Sequence, residues 1–285
     1  MSPIIVNGKQ IAETILQSLP DRIVSLKQRG ITPALAVVLA GDDQPSRTYV
    51  TRKGEVAQQL GVNFFRFNFP ENILPDDLLK EIKRIQDEHT LSGMIIQLPL
   101  PESLGKFSHE IINAIDTRLD IDCLTDASLG QIMLGTNPLP PPTPAAVLEI
   151  FRYHHIKMTG ARVVIVGRGN LIGKPLANLL LNMPVTLTVC GRNTKDLSFH
   201  TRHADIIITG VGKAALITGD MVQSGVAVID GGTVFVDGKI QGDVEFASVA
   251  PKSALITPVP GGVGPITIAK LLENTVTNAE RMCQI

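Results

Sequence analysis

Short apolar runs rich in β-branched residues alternate with amphipathic stretches through most of this 285-residue chain. That alternation restricts it to parallel strands joined by helical crossovers. In the first half, residues 34–39 read as a strand, 47–60 as a helix stopping at Gly61, 62–69 as a strand, 78–88 as a helix and 94–98 as a buried strand. The stretch NPLPPPTP, residues 137–144, then interrupts the pattern. Each of its prolines lacks a donor and fixes φ, so the stretch is excluded from a helix interior or a central strand and reads as a linker. A second series follows: a helix over 145–153, then strands over 162–166, 185–189, 205–209 and 226–229, with Leu255 and Ile256 closing it. Residues 233–240 suggest a hairpin with Asp237-Gly238 as the turn pair. Residues 266–282, apolar at Ile268, Leu271, Leu272 and Val276, predict an amphipathic helix placed to return to the first domain.

Charge and cysteine usage exclude several functions. A net charge of −1 and a pI near 6.6 leave no basic cluster, so neither nucleic acid nor an anionic membrane is expected as a partner. No apolar run reaches the ~18 to 20 residues that span a bilayer. Met1-Ser2-Pro3 leads into Ile4-Ile5-Val6 rather than a basic segment with a long apolar core, so a cytoplasmic protein is expected. Cys123, Cys190 and Cys283 are odd in number and widely spaced, which fits reduced thiols rather than disulfides or zinc. The six histidines, including His154-His155, lack ligand spacing, and no metal is expected.

The stretch VVIVGRGNLIGKPLA, residues 163–177, reads as strand, tight turn and helix. Gly167, Gly169 and Gly173 would let the backbone approach a pyrophosphate at the helix N-terminus. The spacing G-x-G-x-x-x-G is one residue longer than the usual fingerprint, so a purely structural turn is the alternative. The strand 185–189 leads through Cys190 into Gly191-Arg192-Asn193-Thr194, with an arginine where a free ribose hydroxyl would be met by an acid. Arg168 and Arg192 can grip a phosphate through forked, charged hydrogen bonds, which favours NADP over NAD. Two solvated loop arginines are the other reading.

Tyr49 and Lys53 lie four apart on a predicted helix and so share a face. Alone, the pair reads as surface neighbours. Three further stretches change that: Ser92-Gly93-Met94-Ile95-Ile96-Gln97-Leu98-Pro99-Leu100-Pro101, Asp120-Ile121-Asp122, and Thr257-Pro258-Val259-Pro260-Gly261-Gly262-Val263-Gly264-Pro265-Ile266-Thr267. With these the chain closely resembles the bifunctional methylenetetrahydrofolate dehydrogenase/methenyltetrahydrofolate cyclohydrolase family over nearly its full length.

The resemblance implies an α/β fold of two α/β domains, the second a Rossmann-like dinucleotide-binding domain, with the C-terminal helix returning to the first. Residues 1–144 with 266–285 would form the folate-binding catalytic domain and 145–265 the NADP-binding domain. It implies a cytoplasmic homodimer that serves one-carbon metabolism and purine biosynthesis, with tetrahydrofolate derivatives bound in a cleft beside NADP. A hydride leaves 5,10-methylenetetrahydrofolate for NADP, and water opens the methenyl cation to 10-formyltetrahydrofolate. Lys53 would be the catalytic lysine, oriented by Gln97; Tyr49 would line the folate site and Asp122 would fix the pterin. Leu98, Pro99, Pro260, Gly261 and Gly262 would complete the substrate contacts. Leu171, Ile172, Val211, Gly212, Thr233 and Thr267 would join Gly167, Arg168, Gly169, Gly173 and Arg192 around the cofactor.

A lysine serving as a base must lose its proton near neutral pH, a drop of ~3 units that burial can supply. A neutral partner such as Gln97 fits, because a carboxylate there would raise the lysine instead. Asp120 and the glycines from 261 to 264 have a plain reading as turn formers. The chain departs from the family at Leu119 and Cys123, where lysine and glycine are common, at Pro142 in place of a cysteine, and at Gly169, Gly191 and Arg192. These departures keep two alternatives open: an enzyme with the dehydrogenase alone and weak hydrolysis, and a non-catalytic folate- or nucleotide-binding paralogue.

Overall fold

The computed structural model describes residues 2–236 and 238–283. Met1, Asp237 of the expected turn pair, and Gln284 and Ile285 of the expected C-terminal segment lie outside the described residues. The strands are β1 (Ile4–Ile5), β2 (Ala34–Ala40), β3 (Asn63–Phe69), β4 (Gly93–Ile96), β5 (Arg162–Val166), β6 (Thr186–Cys190), β7 (Ile206–Thr209), β8 (Val226–Asp230), β9 (Val234–Val236), β10 (Lys239–Gln241) and β11 (Ser253–Ile256). The chain divides into two compact units. One holds Thr14–Gly130, Pro138–Pro142 and the chain from Leu271; the other holds the chain up to Glu13, Gln131–Asn137 and Thr143–Lys270.

The unit containing Lys53 is built on a parallel sheet in the order β3-β2-β4. Its middle strand, ALAVVLA, is buried at every position, as a strand covered on both faces must be. The helix Gln44–Leu60 follows. Asp43 caps it by accepting from the Ser46 N–H, Pro45 occupies the first turn, and Gly61 ends it in the left-handed region at φ 75°. Capping thus starts the helix three residues before the apolar repeat does. β4 starts one residue before the expected run 94–98 and ends at Ile96; the Gln97 N–H still donates to the Val38 carbonyl, and Pro99 beyond it has no N–H to continue the ladder. From Leu271 onward the C-terminal helix (Val263–Met282) packs into this unit. Asn274 donates to the Ile121 and Pro140 carbonyls, Asn278 donates to those of Ser92 and Arg118, and Arg22 pairs with Glu280 at 2.6 Å.

The other unit carries a six-stranded, all-parallel sheet in the order β1-β11-β8-β7-β5-β6. The chain runs from β5 outward to β6, then returns to the opposite side of β5 for β7. This is the reversal beside which doubly wound sheets bind ligands, at the carboxyl ends of the strands. Two expectations shift. The second series does end on β11, as expected, but β1 pairs outside it with Ile4 opposite Leu255; residues up to Glu13 therefore group with this sheet and not with the rest of 1–144. The proline stretch also yields its last three residues to a helix, Pro142–Tyr153, whose first turn tolerates prolines because its N–H groups have no intrahelical partner. β9 and β10 form the expected antiparallel hairpin. Among the described residues, no helix is long and apolar enough to cross a membrane.

Candidate active site

The buried stripe of the Gln44–Leu60 helix runs Ser46, Val50, Lys53, Gly54 and Ala57, which puts an ammonium on the face that ought to be apolar. Lys53 is only 5% exposed. Its Nζ donates to Gln97 Oε1 at 3.0 Å and lies 4.8 Å from the centroid of the Tyr49 ring, a cation–π position. Gln97 is held at both ends. Its backbone N–H donates to the Val38 carbonyl at 2.8 Å, and its Nε2 donates to the Leu98 carbonyl at 2.7 Å, which turns Oε1 toward Lys53. The Leu98–Pro99 peptide is cis. Lys53, Tyr49, Gln97, Leu98 and Asp122 thus belong to one neighbourhood.

Burial lowers Lys53 to about 8, against a smaller upward pull from the Asp122 carboxylate. Asp122 itself is raised to about 6, chiefly by burial, with Lys53 pulling it down and Asp120 pushing it up. The lysine therefore stops short of neutrality, because a carboxylate that sequence reasoning assigned to the pterin also faces it. Asp120 is a turn former: its two oxygens accept from the Leu124 and Thr125 N–H groups. Cys123 holds the left-handed conformation at φ 57° that a glycine would adopt freely, and its Sγ donates to the Leu139 carbonyl at 3.4 Å.

In the other unit two glycines of the turn, Gly167 and Gly173, are sterically required. A Cβ on Gly173 would lie 2.2 Å from the Gly167 carbonyl oxygen, and one on Gly167, at φ 118°, would lie 2.8 Å from that of Gly210. The turn and the start of the Gly173–Leu181 helix are thereby pressed together; in the first helical turn the Lys174 N–H donates to the Gly169 carbonyl at 3.0 Å and Pro175 has no N–H. Ile172 packs against Gly210 and Gly231, and Val211 against Gly167. Arg168 crosses to the end of β6, where its Nη2 donates to the Val189 carbonyl at 3.2 Å and its guanidinium lies against Gly191. Gly169 has open space around it, and Leu171, Arg192, Val211, Gly212 and Thr233 are exposed. Gly212 sits beside the Thr233 carbonyl. Thr267 donates to the Val263 carbonyl of its own helix, and Gly261 accepts from the Gly8 N–H beside Gly262 and the cis Val259–Pro260 peptide.

Sequence reasoning missed Asp230 and Asp243. Both are buried, and between them they take backbone N–H groups from the loops that carry Val211 and Thr233. Single acids, one at a strand end and one in a loop, give no periodic or motif signal.

Two family models match the chain: the tetrahydrofolate dehydrogenase/cyclohydrolase catalytic domain over residues 6–122, and the tetrahydrofolate dehydrogenase/cyclohydrolase NAD(P)-binding domain over residues 141–283. This chain belongs to the tetrahydrofolate dehydrogenase/cyclohydrolase family. A relative from Nautilia profundicola, named bifunctional protein FolD, is 44% identical over 98% of both chains. Among solved structures, the bifunctional FolD enzyme from Campylobacter jejuni matches with a TM-score of 0.93 at 38% identity, over 99% of this chain and all of that one. The FolD enzyme from Trypanosoma brucei, complexed with NADP cofactor and inhibitor, matches with a TM-score of 0.94 at 34% identity over the whole of both chains.

Proposed function

We propose that this member of the family oxidises 5,10-methylenetetrahydrofolate with NADP to the methenyl cation and hydrolyses that cation to 10-formyltetrahydrofolate. The observation that carries the reading is Lys53: a lysine buried to 5% exposure, lowered to about 8 and hydrogen-bonded to a neutral amide. A lysine kept only for structure gains nothing from that placement. The relatives' name, bifunctional, and the NADP of the Trypanosoma brucei complex support the pairing of the two activities.

In the hydrolytic step the neutral amine of Lys53 takes a proton from water as its oxygen bonds to the methenyl carbon; the hydroxyl of the adduct then loses its proton as the N5–carbon bond breaks, N5 takes up a proton, and the carbonyl stays on N10 as the formyl group, with one proton released overall. The cationic substrate pushes Lys53 further toward the neutral form, since like charge disfavours the ammonium. Asp122, ionised above about 6, accepts from pterin N–H donors, and Tyr49, Leu98 and Pro99 line the folate. NADP, when bound, would supply the hydride acceptor. For that step the chain needs to supply only position: Gly167 and Gly173 leave room for phosphates at the helix start, and Arg168 and Arg192 offer guanidinium groups near the end of β6.

The same reading makes the protein a cytoplasmic homodimer that supplies one-carbon units for purine biosynthesis, and sedimentation equilibrium tests the dimer. The enzyme is tested by following reduced cofactor and the absorbing methenyl intermediate separately after adding methylenetetrahydrofolate with NADP or NAD. Reduced NADP without methenyl build-up is expected. Accumulating methenyl would limit the enzyme to the dehydrogenase, and a clear preference for NAD would remove the arginine clamp.

A further inference from the structure

Two carboxylates outside the expected cofactor set fasten the loops after β7 and β8. Asp243, with no exposed surface, accepts from the Thr209 hydroxyl at 2.7 Å and the Val211 N–H at 2.6 Å on one oxygen, and from the Lys213 N–H at 2.8 Å on the other. Asp230, the last residue of β8, accepts from the N–H groups of Gly232, Asp243 and Val244 at 2.9, 3.1 and 2.9 Å. Asp230 therefore holds the segment that bears Asp243, and Asp243 holds residues 209–213. Glycines make the approach possible. A Cβ on Gly242 would fall 2.0 Å from Asp230 Oδ2, and one on Gly232 would fall 2.2 Å from Asp243 Oδ1.

The loop held in this way is the one that meets the glycine turn. Val166 and Thr209 are paired at the ends of β5 and β7, and just beyond them Gly167 lies against the Gly210 carbonyl and the Val211 side chain. Ile172, at the start of the helix, packs on Gly210 and Gly231. A shift of the 210–213 segment would move the wall of the turn where phosphates are expected.

We propose that Asp243 is a positioning residue for NADP(H), setting the 210–213 loop against the glycine turn through the Val211 and Lys213 backbone without touching the cofactor. The inference rests on reading this unit as the NADP-binding one. A carboxylate is needed because three donors converge on it: an asparagine offers a single acceptor oxygen and turns an NH₂ group toward the remaining donors.

The test is NADPH binding measured by calorimetry, alongside hydrolysis of methenyltetrahydrofolate supplied directly, which uses Lys53 and no cofactor. Asp243→Asn is expected to weaken NADPH binding about 10- to 100-fold, the effect of losing hydrogen bonds to a buried charge. Hydrolysis should stay within about two-fold of the wild-type rate. Thr209→Val should weaken binding about 3- to 10-fold, and Thr209→Ser, which keeps the hydroxyl, should restore it. If Asp243→Asn fails to fold, the Thr209 pair decides. Wild-type NADPH affinity in both Asp243→Asn and Thr209→Val overturns the proposal, as does a parallel loss of hydrolysis, which would mark Asp243 as holding the fold in general. Wild-type protein that binds NADPH yet turns over no folate defeats the proposed function and leaves the positioning role to the same binding data; wild-type protein that binds no NADPH defeats both.

Discussion

Lys53 and Asp243 are both buried charges, and they are treated in opposite ways. Asp243 collects three donors on two oxygens. Lys53 has three N–H donors to place, and among the described contacts it finds one amide oxygen and the face of a ring. A satisfied buried charge fixes geometry; an under-solvated one moves its proton balance and becomes reactive. On the proposed reading, the first would position a ligand and the second would move a proton.

The sharpest way to break this contrast is Lys53→Met. Hydrolysis is expected to fall about 10³-fold while folate still binds, within the range assigned to general acid–base groups. Stability should move the other way. With Lys53 at about 8 when folded and 10.5 otherwise, the unfolded chain binds more protons between those values, so wild-type stability rises as pH climbs from about 8 to 10.5. At neutral pH the buried ammonium costs about 3 kcal/mol. Removing it should stabilise the protein by roughly 1–2 kcal/mol once the lost Gln97 bond is counted, and should flatten that pH dependence. A lower Tm in the variant would mean that Lys53 is as well satisfied as Asp243.

Next in size is Gly173→Ala. Its methyl would meet the Gly167 carbonyl at 2.2 Å, so a loss of about 1–3 kcal/mol in denaturant unfolding is expected, with weakened NADPH binding and Lys53-dependent hydrolysis retained in the folded fraction. Asp122→Asn should have a subtler effect. Hydrolysis is expected to rise with pH as Lys53 loses its proton, and removing the carboxylate that supports the ammonium should move that rising limb below about 8. A limb that stays in place would show that Asp122 and Lys53 are uncoupled. The smallest effect is expected from Cys123→Gly, where relief of the left-handed backbone is set against loss of a buried side chain; stability should change by no more than about 1 kcal/mol. A large gain in hydrolysis would show that the altered turn misplaces Asp122.

The parts legible in the sequence are those written in local pattern. The buried run Ala34–Ala40, the helix ending at Gly61 and the strand–turn–helix around Gly167 all follow from periodicity and glycine placement. Helix starts were less legible where a cap or a proline decides them, as Asp43 and Pro142 do. Pairing of β1 with β11 could not be read, because two isoleucines carry no signal of a partner some 250 residues away. Asp230 and Asp243 escaped for a related reason: their partners are backbone N–H groups, which every sequence contains. Lys53 and Gln97 were found through motif resemblance, while the pull of Asp122 on the lysine needed three dimensions.

The pairing of Ile4 with Leu255 and the bonds from Asn274 and Asn278 to the segment around Ser92 and Ile121 have a consequence during synthesis. At about 5–20 residues per second, β1 leaves the ribosome roughly 10–50 s before the strand it must join. The six-stranded sheet waits for Ser253–Ile256 and the lysine unit for the chain beyond Leu271, so a message truncated shortly before Asn274 would yield a protein with both functional sequences written in full and the lysine unit left unfinished.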